Sequence, residues 1–299
     1  VKDIRAFGVI GSDPFGAEMI KLMRMVKINT DNILVQEEQW YTHVYTKPFI
    51  GDEEQGRIDF GNFNILSEAT ADELIRKLRN VVPEIDAVII NQQVLSGIHI
   101  PYFREELVKL ISLFPDKIFI SDSRNYSDEY DGAYRKMNDT EAVLHCNENK
   151  SPSEIVSYAE AHDAAQILFK RYQKPLFVTR GIRGSLIVNE NGINDIPGLM
   201  IISKVDTVGA GDSYLAGAAS TLAAGYDMVV AAQIGSFVAG VTVQKLFQTG
   251  TATPEEILGI GQDPDYIFSP ELSEDIRHAN YLTDTEIENL LNNMDAKAN

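Results

Sequence analysis

Asp206-Thr207-Val208-Gly209-Ala210-Gly211-Asp212 is the stretch of this sequence that decides the fold. It follows an apolar run at 199–202 and leads into a small-residue segment at 213–219. This order predicts an extended segment, a tight turn and a helix, because glycine lets the backbone turn sharply and approach a ligand closely. The N–H groups of Gly209, Ala210 and Gly211 would then lie at a helix N-terminus, where backbone donors attract anions.

The acid that ends this stretch, Asp212, indicates a particular chemistry. A carboxylate repels phosphate, so an acid is out of place in a simple phosphate cradle. It fits a base that takes a proton from a hydroxyl while the neighbouring N–H groups stabilise the group being transferred. One segment would then supply the base and the anion hole needed for phosphoryl transfer to an alcohol. The alternative is structural: the glycines make a tight turn and Asp212 caps the helix.

Composition limits the classes of protein that need to be considered. The chain has 299 residues, of which 44% are hydrophobic, so it can form one large α/β domain or two small ones. No apolar run reaches the length of a membrane span, and the net charge of −18 argues against a nucleic-acid surface. Cys146 is the single cysteine, which excludes an internal disulfide framework and favours a cytoplasmic location.

Apolar strands alternate with amphipathic helices along most of the chain, which predicts βαβ units. We therefore expect an α/β fold with a doubly wound, mainly parallel sheet, whose ligands bind at the carboxyl ends of the strands. Two strand-like pieces at 40–47 and 57–63 break the alternation and predict a small β lid at about 40–63. Strands are predicted at 4–10, 86–90, 117–121 and 176–178, and helices at about 15–25, 101–114, 211–224 and 227–247.

Three helix starts are predicted from capping patterns. Thr70 with Glu73 has the spacing of a capping box, and Ser151-Pro152-Ser153-Glu154 adds a proline at the first helical position. Thr253-Pro254 predicts the start of a last helix.

The Asp-Thr-x-Gly-Ala-Gly-Asp string, with the small-residue helix after it, resembles the signature of ribokinase-like carbohydrate kinases of the phosphofructokinase-B type. The resemblance extends from about Gly8 to Thr253. It implies an ATP-dependent sugar kinase in which Asp212 is the base and the glycine-turn N–H groups stabilise the transferred phosphoryl group. The cofactors it implies are ATP and Mg²⁺.

The family begins with sugar-binding strands and a Gly-Gly-Ala-x-Asn segment that do not precede Gly8. We therefore expect that the natural chain has residues before Val1. The expected division is a kinase domain at 1–264 and an acidic C-terminal tail at 265–299.

The resemblance also implies a nucleotide site. The segment 178–184 is similar to the family's nucleotide-side loop, so Thr179, Gly181 and Gly184 are expected to line ATP. The alternative is a simple β-turn. Thr207, Ser236 and Thr251 complete the expected nucleotide contacts, with Ser236 on the helix that flanks adenine.

Two metal sites are implied in the same way. Asn147-Glu148-Asn149-Lys150 falls where the family has Asn-x-x-Glu, whose acid helps to organise Mg²⁺ and phosphate, although Lys150 reverses the charge there. Asn147 is therefore expected at the nucleotide and Glu148 at the metal. Asp206, the Val208 carbonyl and Thr251 are expected to hold a monovalent cation, as such sites do in relatives.

On the substrate side, the lid sequences 42–48 and 57–60 resemble those of the heptose-phosphate kinases. Lys47 and Arg57 would bind a phosphate already on the sugar, and Asp59 would orient Arg57 or bind sugar hydroxyls. The alternative is a set of solvated lid residues in weak ion pairs. The segment 8–16 also resembles the family and contributes Asp13 to the expected substrate residues.

The sequence departs from that branch at Trp40 and at Asn91-Gln92-Gln93, which leaves the sugar open. The expected partners are a small sugar or sugar phosphate and a second copy of the chain. Relatives often dimerise through their lids, so Trp40, Tyr41 and Tyr45 belong either to a homodimer interface or to the lid core. A competing hypothesis is a catalytically impaired nucleotide- or sugar-binding protein on a kinase fold, which Lys150 favours and the intact Asp212 opposes.

Overall fold

The computed structural model describes residues 1–51, 53–146, 151, 155–201, 203–246, 248–262 and 267–268. The chain forms two compact units, Val1–Arg135 and Lys136–Asn299. Most of the expected tail at 265–299 lies outside the described residues, so the division at residue 264 stays a prediction. No helix within the described residues is both long and apolar enough to cross a membrane.

The first unit is built from parallel strand pairs and helices. β1 and β2 pair in parallel, as do β7 and β8, so the predicted βαβ organisation is present here. Its core packs helix residues such as Leu74 and Leu107 against Phe119. In chain order the elements are β1 (Arg5–Ile10), α1 (Pro14–Met25), β2 (Asn29–Val35), β3 (Val44–Thr46), β4 (Phe49–Ile50), β5 (Glu53–Glu54), β6 (Ile58–Phe60), α2 (Glu68–Val81), β7 (Ala87–Gln92), α3 (Pro101–Leu113) and β8 (Ile118–Ser123).

The predicted β lid consists of two antiparallel pairs. β3 pairs with β6, and β4 pairs with β5. The aromatic residues expected at the lid separate into two groups. Trp40 is only 3% exposed and belongs to the core of the unit, where its indole N–H donates to the Val9 carbonyl. Tyr41 and Tyr45 are exposed.

The second unit combines an antiparallel meander with helices. β10, β11 and β12 pair in succession, and the core beside them includes Leu168, Val178 and Leu186. The strand β9 (Tyr134–Asn138) contains the last residues of the first unit and the first of the second. The elements that follow are α4 (Asp139–Cys146), α5 (Tyr158–Tyr172), β10 (Leu176–Thr179), β11 (Ser185–Asn189), β12 (Gly192–Ile196), β13 (Leu199–Met200), α6 (Ala210–Ala223), α7 (Met228–Thr242), α8 (Pro254–Gln262) and β14 (Ile267–Phe268).

Two of the three predicted helix starts are wrong. α2 begins after Ser67, whose hydroxyl accepts from the Thr70 N–H, so Thr70 lies inside the helix rather than capping it. α5 begins after Ser157, which forms a reciprocal capping box with Glu160.

Pro152, Ser153 and Glu154 lie outside the described residues, and residues 155–157 precede the helix. The predicted start at Thr253 is confirmed, because Thr253 and Glu256 cap each other. α7 ends at Thr242, earlier than predicted.

Candidate active site

The glycine turn at 206–212 has the predicted form, with α6 beginning at Ala210. Gly209 is the N-cap and has a left-handed backbone, with φ of +78°. A Cβ at this position would lie 2.6 Å from Thr249 Cγ2, so both the conformation and the packing require glycine. Asp206 fixes the start of the turn by accepting from the Val208 N–H at 3.0 Å.

Only part of the predicted anion hole is available to a ligand. The N–H of Ala210 donates to the Thr207 carbonyl at 3.1 Å, and its binding of the transferred group stays a prediction. The Ala210 N–H closes the turn through this hydrogen bond. Among the described residues no acceptor is found for the N–H groups of Gly209 and Gly211, and these donors remain at the N-terminus of α6. Asp212, the next residue, is exposed.

A cation that the sequence analysis did not identify lies against this turn. A Cβ at Gly211 would be 2.8 Å from Lys136 Nζ, although Lys136 itself is only 7% exposed. Lys136 lies in β9, far from the glycine turn in the sequence. No local pattern in the sequence links the two, so only the folded chain reveals their proximity.

The expected nucleotide loop contains two glycines with different environments. Gly181 has φ of +60° and open space where a Cβ would stand, which suits the approach of a ligand. Gly184 has φ of +84°, and a Cβ there would lie 1.9 Å from the Ile196 carbonyl oxygen, so backbone packing alone requires this glycine. The Thr179 hydroxyl donates to the Met137 carbonyl at 3.3 Å. Ser236 lies half-buried on α7, and Thr207 is exposed.

A buried ion pair fixes this loop to the start of α4. Arg183 Nη2 contacts Asp139 Oδ2 at 2.7 Å, and its side chain also donates to the carbonyls of Val156 and Arg180 at 2.8 and 3.3 Å. The side chains of Arg183 and Asp139 are 16% and 9% exposed. Burial raises the pKa of Asp139 above its ordinary value, against the opposing effects of Arg183 and Arg180.

An Asn-x-x-Glu string that the sequence analysis passed over is Asn138-Asp139-Thr140-Glu141. It lies where β9 ends and α4 begins. Asn138 Oδ1 accepts from the Glu141 N–H and Glu141 Oε2 accepts from the Asn138 N–H, both at 2.8 Å. Its position at the end of a strand is the signal in the sequence that makes it a candidate. The expected residues Asn147 and Glu148 lie outside the described residues, so their roles stay predictions.

The described residues do not form a cage for a metal ion. No group of three or more His, Cys, Asp or Glu side chains among them is placed to hold one. The expected Mg²⁺ contact at Glu148 lies outside the described residues and stays a prediction.

The expected monovalent-cation site at Asp206, the Val208 carbonyl and Thr251 stays a prediction. The Thr251 carbonyl accepts from the Lys245 ammonium, which also contacts Glu256 at 2.8 Å. Asp206 Oδ1 is used to cap the turn at Val208.

In the first unit, Asp13 caps a helix. Its carboxylate accepts from the Gly16 N–H and the Thr42 N–H, both at 2.9 Å, and so joins the start of α1 to the lid strand region. Although burial acts to raise the pKa of Asp13, these backbone hydrogen bonds lower it below its ordinary value. Both oxygens are engaged, and contact with a sugar stays a prediction.

Arg57 and Asp59 are brought together in the lid as the sequence analysis expected. The Arg57 guanidinium makes two hydrogen bonds to the Asp59 carboxylate, at 2.6 and 2.7 Å, and its Cζ lies 4.6 Å from the centre of the Tyr45 ring. The planar head is therefore oriented before any ligand binds. Lys47 is exposed in the same lid.

Comparison with known proteins gives the family and the fold. A family model for pfkB family carbohydrate kinases matches residues 1–256. The bifunctional protein HldE of Sulfurimonas denitrificans is 23% identical over 248 residues, which cover 82% of this chain and 50% of that protein. The ribokinase of Schizosaccharomyces pombe is 22% identical over 256 residues, covering 81% of this chain and 74% of that protein. This chain thus spans about half the length of the HldE relative.

Two solved structures have the same fold. The ribokinase of Thermotoga maritima matches with a TM-score of 0.67 and 20% identity, covering 88% of this chain and 82% of that one. Phosphofructokinase-2 of Escherichia coli, in a complex with potassium, matches with a TM-score of 0.70 and 16% identity. The match covers 86% of this chain and 80% of that one. The predicted ribokinase-like α/β fold is confirmed.

Proposed function

Because the chain belongs to the pfkB family of carbohydrate kinases, we propose that it transfers the γ-phosphoryl group of ATP to a hydroxyl of a sugar or sugar phosphate. The observation that carries the proposal is the glycine turn. Two N–H groups, those of Gly209 and Gly211, are available at the start of α6, and the exposed acid Asp212 follows them directly. Any helix start leaves such donors, but phosphoryl transfer needs donors and a base in one place, and here an exposed acid lies directly beside them.

Each residue of the turn has one role in this proposal. Asp212 accepts the proton of the attacking hydroxyl, and the N–H groups of Gly209 and Gly211 stabilise the charge on the transferred phosphoryl group. Mg²⁺ bound to ATP supplies positive charge along the phosphates. Asn138 and Glu141, at the start of α4, are the described residues that match the Asn-x-x-Glu pattern and would orient that ion through its water.

On the nucleotide side, we propose that ATP approaches the backbone at Gly181 rather than at Gly184. The support is the open space above Gly181 and the close backbone packing at Gly184. Thr179, at the end of β10, and Ser236, on α7, stay in the expected nucleotide set.

The acceptor that the lid favours is a phosphorylated sugar. The pair of Arg57 and Asp59 supports this choice, because a guanidinium already oriented by a carboxylate and a tyrosine ring loses little freedom on binding phosphate. Lys47 adds a second cation. The similarity of the lid sequence to heptose-phosphate kinases makes heptose 7-phosphate the first sugar to test. A homodimer through the lid belongs to the same proposal, supported by exposed lid residues such as Ile50, Ile58 and Tyr45.

The test measures ADP release with a panel of ribose, fructose, heptose 7-phosphate and the corresponding sugar phosphates. Asp212→Asn removes the base while keeping size and shape, and we expect turnover to fall at least about 1,000-fold with ATP affinity within a few-fold. Asp227→Asn is the matched control, since that exposed residue caps α7 by accepting from the Val230 N–H, which asparagine also does. Arg57→Leu is expected to remove a preference for phosphorylated sugars.

Turnover with one sugar, lost in Asp212→Asn and kept in Asp227→Asn, supports the kinase. Equal activity in Asp212→Asn contradicts the role of Asp212. ATP binding without turnover on any sugar favours the alternative of a binding protein on a kinase fold.

A further inference from the structure

Tyr214 joins the start of α6 to the sheet of its unit. Its hydroxyl oxygen lies 2.9 Å from that of Ser185, the first residue of β11, in a buried hydrogen bond. Tyr214 is 5% exposed and Ser185 is fully buried. Burial raises the pKa of Tyr214, so its hydroxyl stays protonated at neutral pH. This bond holds the helix at a fixed distance from the strand, because either buried hydroxyl would lose a partner if the helix moved.

The two residues of this bond lie next to two parts of the proposed site. Tyr214 follows Asp212 by two positions on α6, so Tyr214 is buried while the Asp212 side chain leaves another side of the helix and is exposed. Ser185 directly follows Gly184, whose position is fixed by its close backbone packing against Ile196. The bond therefore connects the turn that carries the proposed base to the end of the expected nucleotide loop.

The ring of Tyr214 makes further contacts in the same unit. A Cβ at Gly235 of α7 would lie 3.2 Å from Tyr214 Cδ2, and the residue after Gly235 is Ser236, a member of the expected nucleotide set. The ring also meets Phe177 of β10 edge to face, with the ring centres 6.2 Å apart. The orientation of the hydroxyl is thus fixed by packing as well as by its hydrogen bond.

The first turn of α6 contains few other groups that could anchor it. Residues 210–213 are alanine, glycine, aspartate and serine, so Tyr214 is the first large side chain of the helix. Helix ends fray more readily than helix centres. A displacement of about 1 Å at a reacting group can lower a rate about 100-fold. The placement of Asp212 therefore depends on the anchor that Tyr214 provides.

We propose that Tyr214 is a positioning residue for phosphoryl transfer, and that its hydrogen bond to Ser185 sets the distance between Asp212 and the nucleotide loop. Phenylalanine would supply the same packing of the ring, so the hydroxyl is the part of Tyr214 that carries this role. The proposal rests on the proposed kinase function. Its structural part, that the bond orders the first turn of α6, is measurable without turnover.

The test compares wild type with Tyr214→Phe and Ser185→Ala, each of which removes one hydroxyl of the pair. With an active sugar, we expect kcat to fall about 10-fold in each variant while KM for ATP stays within twofold. The double variant should lose no more than either single variant, because the two hydroxyls act as one pair. Thr221→Val is the matched control. It removes another buried hydroxyl of α6, which donates to the Gly217 carbonyl at 2.8 Å, and it should leave kcat unchanged.

Amide hydrogen exchange, followed by NMR without ligands, is the readout that does not need turnover. The N–H groups of Ala210 and Ser213 donate to carbonyls within the glycine turn, so their exchange rates report how often this turn opens. Tyr214→Phe should speed their exchange about 3- to 10-fold, as expected for the loss of one hydrogen bond. Thr221→Val should leave both rates within twofold of wild type.

The proposal is overturned if Tyr214→Phe and Ser185→Ala both keep kcat within twofold of wild type. It is also overturned if the two losses multiply in the double variant, or if Thr221→Val loses as much. If Tyr214→Phe does not fold, the same limits on kcat and exchange are applied to Ser185→Ala alone.

Failure of the proposed kinase function is a distinct result, because wild type then transfers no phosphoryl group to any sugar. The exchange rates of Ala210 and Ser213 still decide whether the bond between Tyr214 and Ser185 orders the turn. Rates in Tyr214→Phe within twofold of wild type overturn that part.

Discussion

Among single substitutions, the structure gives the clearest expected loss of unfolding free energy for the removal of Arg183. Arg183→Leu deletes the 2.7 Å contact to Asp139 and the bonds to the carbonyls of Val156 and Arg180. The Asp139 side chain, only 9% exposed, then keeps its charge without its nearest counter-ion. Breaking a buried pair from one side costs roughly 3–5 kcal/mol of unfolding free energy.

The double variant Arg183→Leu/Asp139→Asn separates the charge from the lost bonds. Asparagine removes the stranded negative charge, so the double variant should recover about half of the loss. The remainder reflects mainly the Val156 carbonyl, which loses its charged donor at a cost of about 1–3 kcal/mol. The Arg180 carbonyl keeps the bond from the backbone N–H of residue 183. Arg76→Leu is the control: its pair with Glu73 is on the surface, where Arg76 is 61% exposed, and the unfolding midpoint should not move measurably.

The assay is urea unfolding followed by circular dichroism at pH 5 and pH 7. An acid whose pKa is raised on folding binds more protons in the folded state, so stability falls as pH rises from the ordinary value of 3.8 to the folded one. Without Arg183 the pKa of Asp139 in the folded state rises further. The pH range over which stability falls then extends to higher pH. Arg183→Leu should therefore lose more stability at pH 7 than at pH 5. A loss below about 1 kcal/mol, or equal losses at the two pH values, refutes the reasoning.

Two further predictions concern the glycine turn and the lid. Gly209→Ala should destabilise the protein by more than the roughly 1–2 kcal/mol of left-handed strain, because its Cβ meets Thr249 at 2.6 Å. Gly225→Ala is the control, because Gly225 has a similar φ of +86° and open space where a Cβ would stand. It should lose only the free energy of the left-handed strain. Equal urea midpoints for the two variants would contradict the packing argument. Ile50→Asp, at a lid residue 72% exposed, should convert a dimer to a monomer in sedimentation velocity. Val26→Asp, 69% exposed at the end of α1, should not, and a monomeric wild type would rule out the lid dimer.

The helix starts illustrate where reasoning from the sequence stops. Ser67-x-x-Thr70 and Thr70-x-x-Glu73 both offer a cap within one segment, and the chain uses Ser67. Near α5 the sequence offers Ser151 and Ser157, each followed three residues later by glutamate, and the helix begins after Ser157. A capping pattern is local, but the first turn that forms is the one whose apolar face packs on the core.

Two Asn-x-x spacings lie near α4 in the sequence. The string at Asn147 lies outside the described residues and its role stays a prediction, whereas Asn138 to Glu141 has the complete pattern where β9 ends and α4 begins. The end of a strand is where a parallel α/β fold binds ligands, and this position supports the proposal of Asn138 and Glu141.

The sequence by itself determined the glycine turn, the helix after it, the β lid and the family, because each depends on local backbone preferences and on a contiguous motif. Tertiary structure alone decided that Lys136 lies against Gly211, that Arg183 pairs with Asp139, and that Trp40 is in the core while Tyr41 is exposed. Those outcomes depend on which distant segments pack together. The free energy of burying a charge or a ring is set by its neighbours in space, and the residue itself does not specify them.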